Sequence, residues 1–92
     1  MQEPQTAVAI RYDPGRRELP YVTARGRGRI AQRIVELARR HGIPVHSHPP
    51  LARLLQRLDV GSPIPVEAYV AVAEILALLY RLDAERGGEG RG

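Results

Sequence analysis

The residues in this chain that could do chemistry are a glycine-spaced turn, a run of arginines and three histidines. Gly26-x-Gly28-x-x-Ala31 has the spacing of a relaxed dinucleotide fingerprint. In that motif glycines let backbone amides approach a phosphate at a helix N-terminus. The fingerprint also needs an acidic residue about 20 positions on, at the end of the following strand. His46-Ser47-His48 occupy that neighbourhood, and the chain is too short for a full dinucleotide fold. The glycines therefore read as a tight strand-to-helix turn, and no cofactor is expected.

Arg25, Arg27 and Arg29 form a dense basic patch around the same turn, suited to phosphate or nucleic acid. No aromatic is interleaved for base stacking. No helix-turn-helix or RNA-recognition signature surrounds the patch. It reads as a solvated basic face or a protein-docking patch. His46 and His48 would share one side of a strand, and with His41 they suggest zinc on paper. No Cys and no nearby carboxylate completes a ligand set, so no metal is expected. A Ser/His/Asp set assembled from Ser47 or Ser62 lacks any nucleophile-elbow context. No catalytic residues are assigned, and an enzyme is not expected.

These residues must be positioned by one small domain, since 92 residues and 43% hydrophobic content fit a single modest core. Without Cys there are no disulfides or thiolate sites. Without Phe or Trp, aliphatic side chains must fill the interior around Tyr12, Tyr21, Tyr69 and Tyr80. All 14 basic residues are Arg, which reads as composition bias rather than as a site. The net charge of +4 permits nucleic acid, an anionic membrane or an acidic protein as partner without choosing among them. No apolar run approaches the ~18 residues of a membrane span. No signal peptide is visible, and the protein is expected to stay in the cytosol.

Ala7 to Tyr12 reads as a strand, Asp13-Pro14-Gly15 as a turn, and Tyr21 to Arg25 as a second strand broken by Gly26-Arg27-Gly28. A helix follows from Arg29, with Ile30, Ile34, Leu37, Ala38 and His41 on its apolar face and Gly42 as its stop. Ile43 to Ser47 reads as a third strand, parallel to the second through a right-handed crossover. A short helix led by His48-Pro49-Pro50 presents Leu51, Leu54, Leu55 and Leu58. The last helix starts near Pro65 and runs to about Asp83, with a broad stripe from Tyr69 to Tyr80. The expected fold is α/β, a small three-stranded sheet in the order β-β-α-β-α-α packed with three helices. Residues 1–6 read as a flexible N-terminus, 7–83 as the domain and 84–92 as a disordered tail.

Several blocks in this order and spacing carry a specific resemblance. They are Ala7-Val8-Ala9-Ile10-Arg11-Tyr12-Asp13, Thr23-Ala24-Arg25-Gly26-Arg27-Gly28 and Gly42-Ile43-Pro44-Val45, then His48-Pro49-Pro50-Leu51-Ala52-Arg53-x-Leu55 and Ile64-Pro65-x-Glu67-x-Tyr69-x-Ala71-Val72-Ala73-Glu74-Ile75-Leu76-Ala77. Together they resemble the C-terminal cytoplasmic domain of the FlhB/YscU family of type III export proteins. The Pro-Pro-Leu-Ala-Arg block with the final helix is the most specific part.

The resemblance implies a small sheet wrapped by helices, placed behind the membrane domain of the export gate and involved in switching between substrate classes. Family members cleave themselves in an Asn-Pro-Thr-His loop, where the Asn side-chain amide attacks its own carbonyl. Aligned on Ala7-Val8-Ala9, that loop corresponds to Gln2, Glu3, Pro4 and Gln5, so self-cleavage is not expected. The expected form is a stand-alone counterpart of the larger cleavage fragment, lacking the strand that precedes the loop.

The implied function is a protein-binding module of flagellar or type III export, peripheral to the apparatus at the inner membrane. Its partners would be cytosolic domains of export-apparatus membrane proteins or secretion substrates. The expected docking residues are Arg25, Arg27, Arg29, His48, Pro49, Pro50, Leu51 and Arg53. A rigid Pro-Pro corner presents side chains at little entropic cost, and Arg is enriched at interfaces. The first strand's open edge is where a partner segment or a second copy would pair. The rival reading is a small basic nucleic-acid-binding protein, whose affinity would fall steeply with salt.

Overall fold

The structure, a computed structural model, describes residues 5–89. Two strands and three helices follow one another: β1 (Thr6–Arg11), β2 (Tyr21–Arg27), α1 (Arg29–Arg40), α2 (Pro49–Leu55) and α3 (Val66–Glu89). β1 and β2 pair antiparallel, from Thr6 opposite Arg27 to Arg11 opposite Tyr21. The turn between them is anchored at Asp13, whose carbonyl accepts the N–H groups of both Arg16 and Arg17 at 2.9 Å. The strand does not end at Gly26 as the sequence suggested; pairing runs on to Arg27. Gly26 is required there for space, because a Cβ would collide with the Ile30 side chain.

The register slips between Ala9 and Ile10, leaving Thr23 as an extra residue on β2. That bulge decides which face Val22 uses. Opposed residues in an antiparallel pair share a face. Ala7 with Gly26, and Ala9 with Ala24, therefore form one face, the one on which Ile30 of α1 sits. Val8 with Arg25, and Ile10 with Val22, form the other. Without the extra residue Val22 would point toward α1; with it, Val22 enters the core and is fully buried.

The core lies on that second face. Val22, Leu51, Leu55, Ile64, Ala68 and Val72 make up its buried cluster, with Val8, Ile10, Leu58, Ala71, Ile75 and Leu76 packed around it. The alanines and glycine on the first face let α1 approach closely, and Ala31 is completely buried. The helix is consequently rotated from the expected face. Ala31, Ile34, Val35 and Ala38 turn inward, while Ile30 and Leu37 are exposed and His41 caps the end. Gly42, at φ +69°, closes α1 with a Schellman pattern: its N–H donates to Arg39 (3.2 Å) and that of Ile43 to Ala38 (2.8 Å).

The expected third strand is not formed. Ile43–Ser47 has no regular structure and joins no strand among the described residues, whose sheet has two strands and no parallel crossover. Pro44 withholds one donor, and the N–H of Ile43 is consumed by the helix cap. The outer side of β2 is filled instead by a stretch the sequence marked as loop. Gly61 N–H donates to Val22 (2.7 Å), Val22 N–H to Ser62 (3.0 Å) and Ile64 N–H to Pro20 (2.9 Å). A single bridge joins Tyr21 to Pro63.

Two other expectations about faces are corrected. Leu54 is exposed, because the short α2 turns only Leu51 and Leu55 inward. Tyr69 and Val70 are exposed as well, since α3 buries the line through Ala68 and Val72. α3 also continues past Asp83 to Glu89. Residues 1–4 and 90–92 lie outside the described residues.

Candidate docking surfaces

The α2 corner is built from its cap. His48 Nδ1 accepts the N–H of Leu51 at 3.2 Å, satisfying one of the orphan donors of the first turn. Pro49 and Pro50 occupy that turn and bring no N–H of their own. Leu51 is 8% exposed and belongs to the core, so it fixes the corner from beneath rather than facing a partner. His48, Pro49, Pro50 and Arg53 remain on the surface.

Of the three arginines near the glycine turn, Arg25 is engaged at the far end of α2. Its Nη1 donates to the Gln56 carbonyl at 3.3 Å, and its Nη2 lies 3.9 Å from Asp59 Oδ1. This contact ties β2 to the α2 region. Arg27 and Arg29 flank Gly28 and are exposed, with no ion pair among the described residues. Gly28 takes the left-handed φ of +59° that the turn demands. Its N–H donates to Gln5 at 2.7 Å. That donor serves the chain's own backbone, so it is not offered to a phosphate.

His41, His46 and His48 are all exposed, and no group of three metal-ligating side chains is assembled among the described residues. Neither Ser47 nor Ser62 has a hydroxyl hydrogen-bonded to a histidine among those residues.

One surface was not singled out in the sequence. Leu19, Val66, Tyr69 and Val70 surround an open apolar hollow of about 240 Å³ floored by Ile64. Val66 is 84% and Val70 66% exposed, which is unusual for neighbouring large aliphatics. Glu18 and Glu67, next to Leu19 and Val66 in sequence, and Glu74, four residues after Val70, are exposed. Arg17 holds the loop that carries Leu19. Its guanidinium stacks on Tyr21 with 3.9 Å to the ring centroid, and its Nη1 donates to the Gly61 carbonyl at 3.0 Å. The available signal was the apolar width of α3, which exceeds what one core can cover.

The arrangement of sheet and helices is that of the cytoplasmic domains of bacterial export proteins. It matches the cytoplasmic domain of FlhB from Shewanella putrefaciens with a TM-score of 0.79 and 38% identity, covering 82% of this chain and 61% of that one. The chain belongs to the FlhB HrpN YscU SpaS family, whose sequence profile matches residues 3–79. The flagellar biosynthetic protein FlhB of Salmonella typhimurium is 42% identical over 86 residues, which is 92% of this chain and 22% of the relative. The Bacillus subtilis protein YlqH is 38% identical over 77 residues, 84% of this chain and 83% of that protein. The chain thus spans about a fifth of the length of its flagellar relatives and most of the length of YlqH. No helix among the described residues is long and apolar enough to cross a membrane.

Proposed function

We propose that this chain is a non-catalytic, cytosolic protein-binding module of flagellar or type III export, acting at the export apparatus and in its choice of substrate class. The observation that carries the reading is the exposed apolar hollow on a domain of this family. A hollow walled by valines, a leucine and a tyrosine suits one apolar side chain of a partner, and exposed apolar patches of this kind are otherwise rare on monomers. The surface residues of the Pro-Pro corner, and the exposed Arg27 and Arg29, are further candidates for contact.

The test is a titration of the purified chain with cytosolic domains of export-gate membrane proteins and with secretion substrates. Binding should be saturable, and Val70→Asp should weaken it at least about tenfold by placing a charge in an apolar pocket. Arg53→Ala tests the corner in the same assay. Absence of binding to every one of these partners refutes the reading. In place of the family's Asn-Pro-Thr-His loop the chain carries Gln2, Glu3, Pro4 and Gln5, and we expect no self-cleavage. An intact-mass measurement after prolonged incubation should show one uncut chain.

A further inference from the structure

The outward side of α1 keeps apolar side chains in solvent. Among the described residues α1 packs on β1 and β2 and against neither α2 nor α3. Ala31, Ile34, Val35 and Ala38 are turned to the strands. Ile30 lies over Gly26 yet stays 62% exposed, and Leu37 stays 37% exposed. Being seven residues apart on a helix, they share one side and stand about 10 Å apart along its axis. Arg33 and Arg40 each follow one of them by three residues, on that same side. The result is a seam one helix wide that alternates aliphatic and arginine.

Charge is concentrated in the same part of the chain. Residues 25–57 hold eight of the 14 arginines but one of the ten acidic residues, Glu36. Arg33 and Arg40 share that carboxylate, with Nη1 atoms 3.2 and 3.8 Å from Glu36 Oε1. One carboxylate for two guanidiniums leaves surplus positive charge, and N–H groups for a further acceptor. Arg29, in the first turn, has no ion pair among the described residues. That turn holds no acidic residue, and no side chain caps it. The positive end of the helix dipole therefore adds to the charge of Arg29.

We infer that the outer side of α1 receives an acidic amphipathic helix of a partner protein. Two helices meet along residues repeated every seven positions, which is the spacing of Ile30 and Leu37. The partner helix sets aliphatic side chains against these two and carboxylates against Arg29, Arg33 and Arg40. A lipid surface takes up a broad apolar helix face, and that of α1 is already turned to the strands. A second copy would bring the same arginines against these. The seam lies on the sheet face away from the core that Ile64 and α3 share. It uses no residue of the hollow, so each surface can fail alone.

Fluorescence anisotropy with the full chain tests it. The probe is a labelled, capped peptide of three heptads, with leucine at every seventh position and glutamate and alanine elsewhere. Controls are a scrambled peptide of the same composition and the same peptide with lysine in place of glutamate. The patterned peptide should bind saturably, the scrambled one at least about tenfold more weakly, and the lysine peptide not at all. Arg33→Glu combined with Arg40→Glu, both at exposed positions, should weaken binding at least about tenfold, and Leu37→Asp should do the same. Glu36→Gln releases both arginines and should tighten binding about two- to threefold. Val70→Asp should leave it unchanged. Circular dichroism verifies the fold of each variant. Equal binding of the patterned and scrambled peptides overturns the inference, since charge alone then acts. Binding that survives the double charge reversal overturns it too. So do phosphatidylglycerol vesicles that bind the chain through the same arginines more tightly than the peptide does, the occupant then being a lipid surface.

Discussion

Single positions separate steric from conformational demands in this fold. Gly26 and Gly42 are both needed, for different reasons. Gly26 has no room for a side chain, because Ile30 of α1 lies over it. Gly42 has open space around it but sits at φ +69°. Gly26→Ala should therefore cost about 1–3 kcal/mol through a displaced α1, as overpacked sites do. Gly42→Ala should cost about 1–2 kcal/mol through backbone strain alone. Urea denaturation of the two variants checks both values, and a neutral Gly26→Ala would contradict the close packing of α1 on β2. His48 makes a different contribution through its ring nitrogen. Replacing it with Ala should cost about 1 kcal/mol, whereas Asn should preserve stability because its side-chain oxygen can cap the same N–H. Equal losses for both would mean that the imidazole does not act as the cap.

Elements were legible from the sequence where a local signal decided them. Asp13-Pro14-Gly15, the Gly42 stop and the Pro-Pro start of α2 each act over a few residues, and each is present as read. Legibility failed where a distant neighbour decided the outcome. Ile43–Ser47 has strand propensity, yet a strand exists only with a partner edge, and none reaches it. Gly61–Ile64 carries turn residues but lies along β2 and takes that edge. The rotation of α1 was hidden because its buried face is set by small residues, Ala31 and Ala38, rather than by the larger Ile30 and Leu37. The candidate site was legible in the same partial way. The corner residues stand out in the sequence by their rigidity, and of them Leu51 serves the core. Val70 falls within the broad apolar stripe, and sequence alone does not say which side of such a helix remains uncovered. The helix surfaces also carry ion pairs of little weight. Glu36 lies 3.2 Å from Arg33 and 3.8 Å from Arg40 on an exposed face. Glu36→Gln should shift stability by less than about 0.5 kcal/mol, which thermal melts at low and high salt can verify.

At the scale of the whole molecule, aliphatic burial is the main support. The core has no aromatic residue in its buried cluster, and no buried side-chain polar atom lacks a partner among the described residues. Ile64 joins two roles, as a fully buried member of the core and as the floor of the hollow. Ile64→Ala should cost about 2–5 kcal/mol and also open the hollow, while Val70→Ala, at an exposed position, should change stability by less than about 0.5 kcal/mol. That contrast separates folding from recognition, so a variant at Val70 reports on docking alone. The charge of +4 makes nucleic acid the natural competitor as a partner, and its salt dependence distinguishes it. The most direct measurement is a calorimetric titration of the chain and its Val70→Asp variant with purified cytosolic domains of the export gate at two salt concentrations. Saturable binding by the parent chain, weakened at least about tenfold in the variant, is the predicted result. Binding absent from the parent, or identical in the variant, would contradict the assignment of this surface to export.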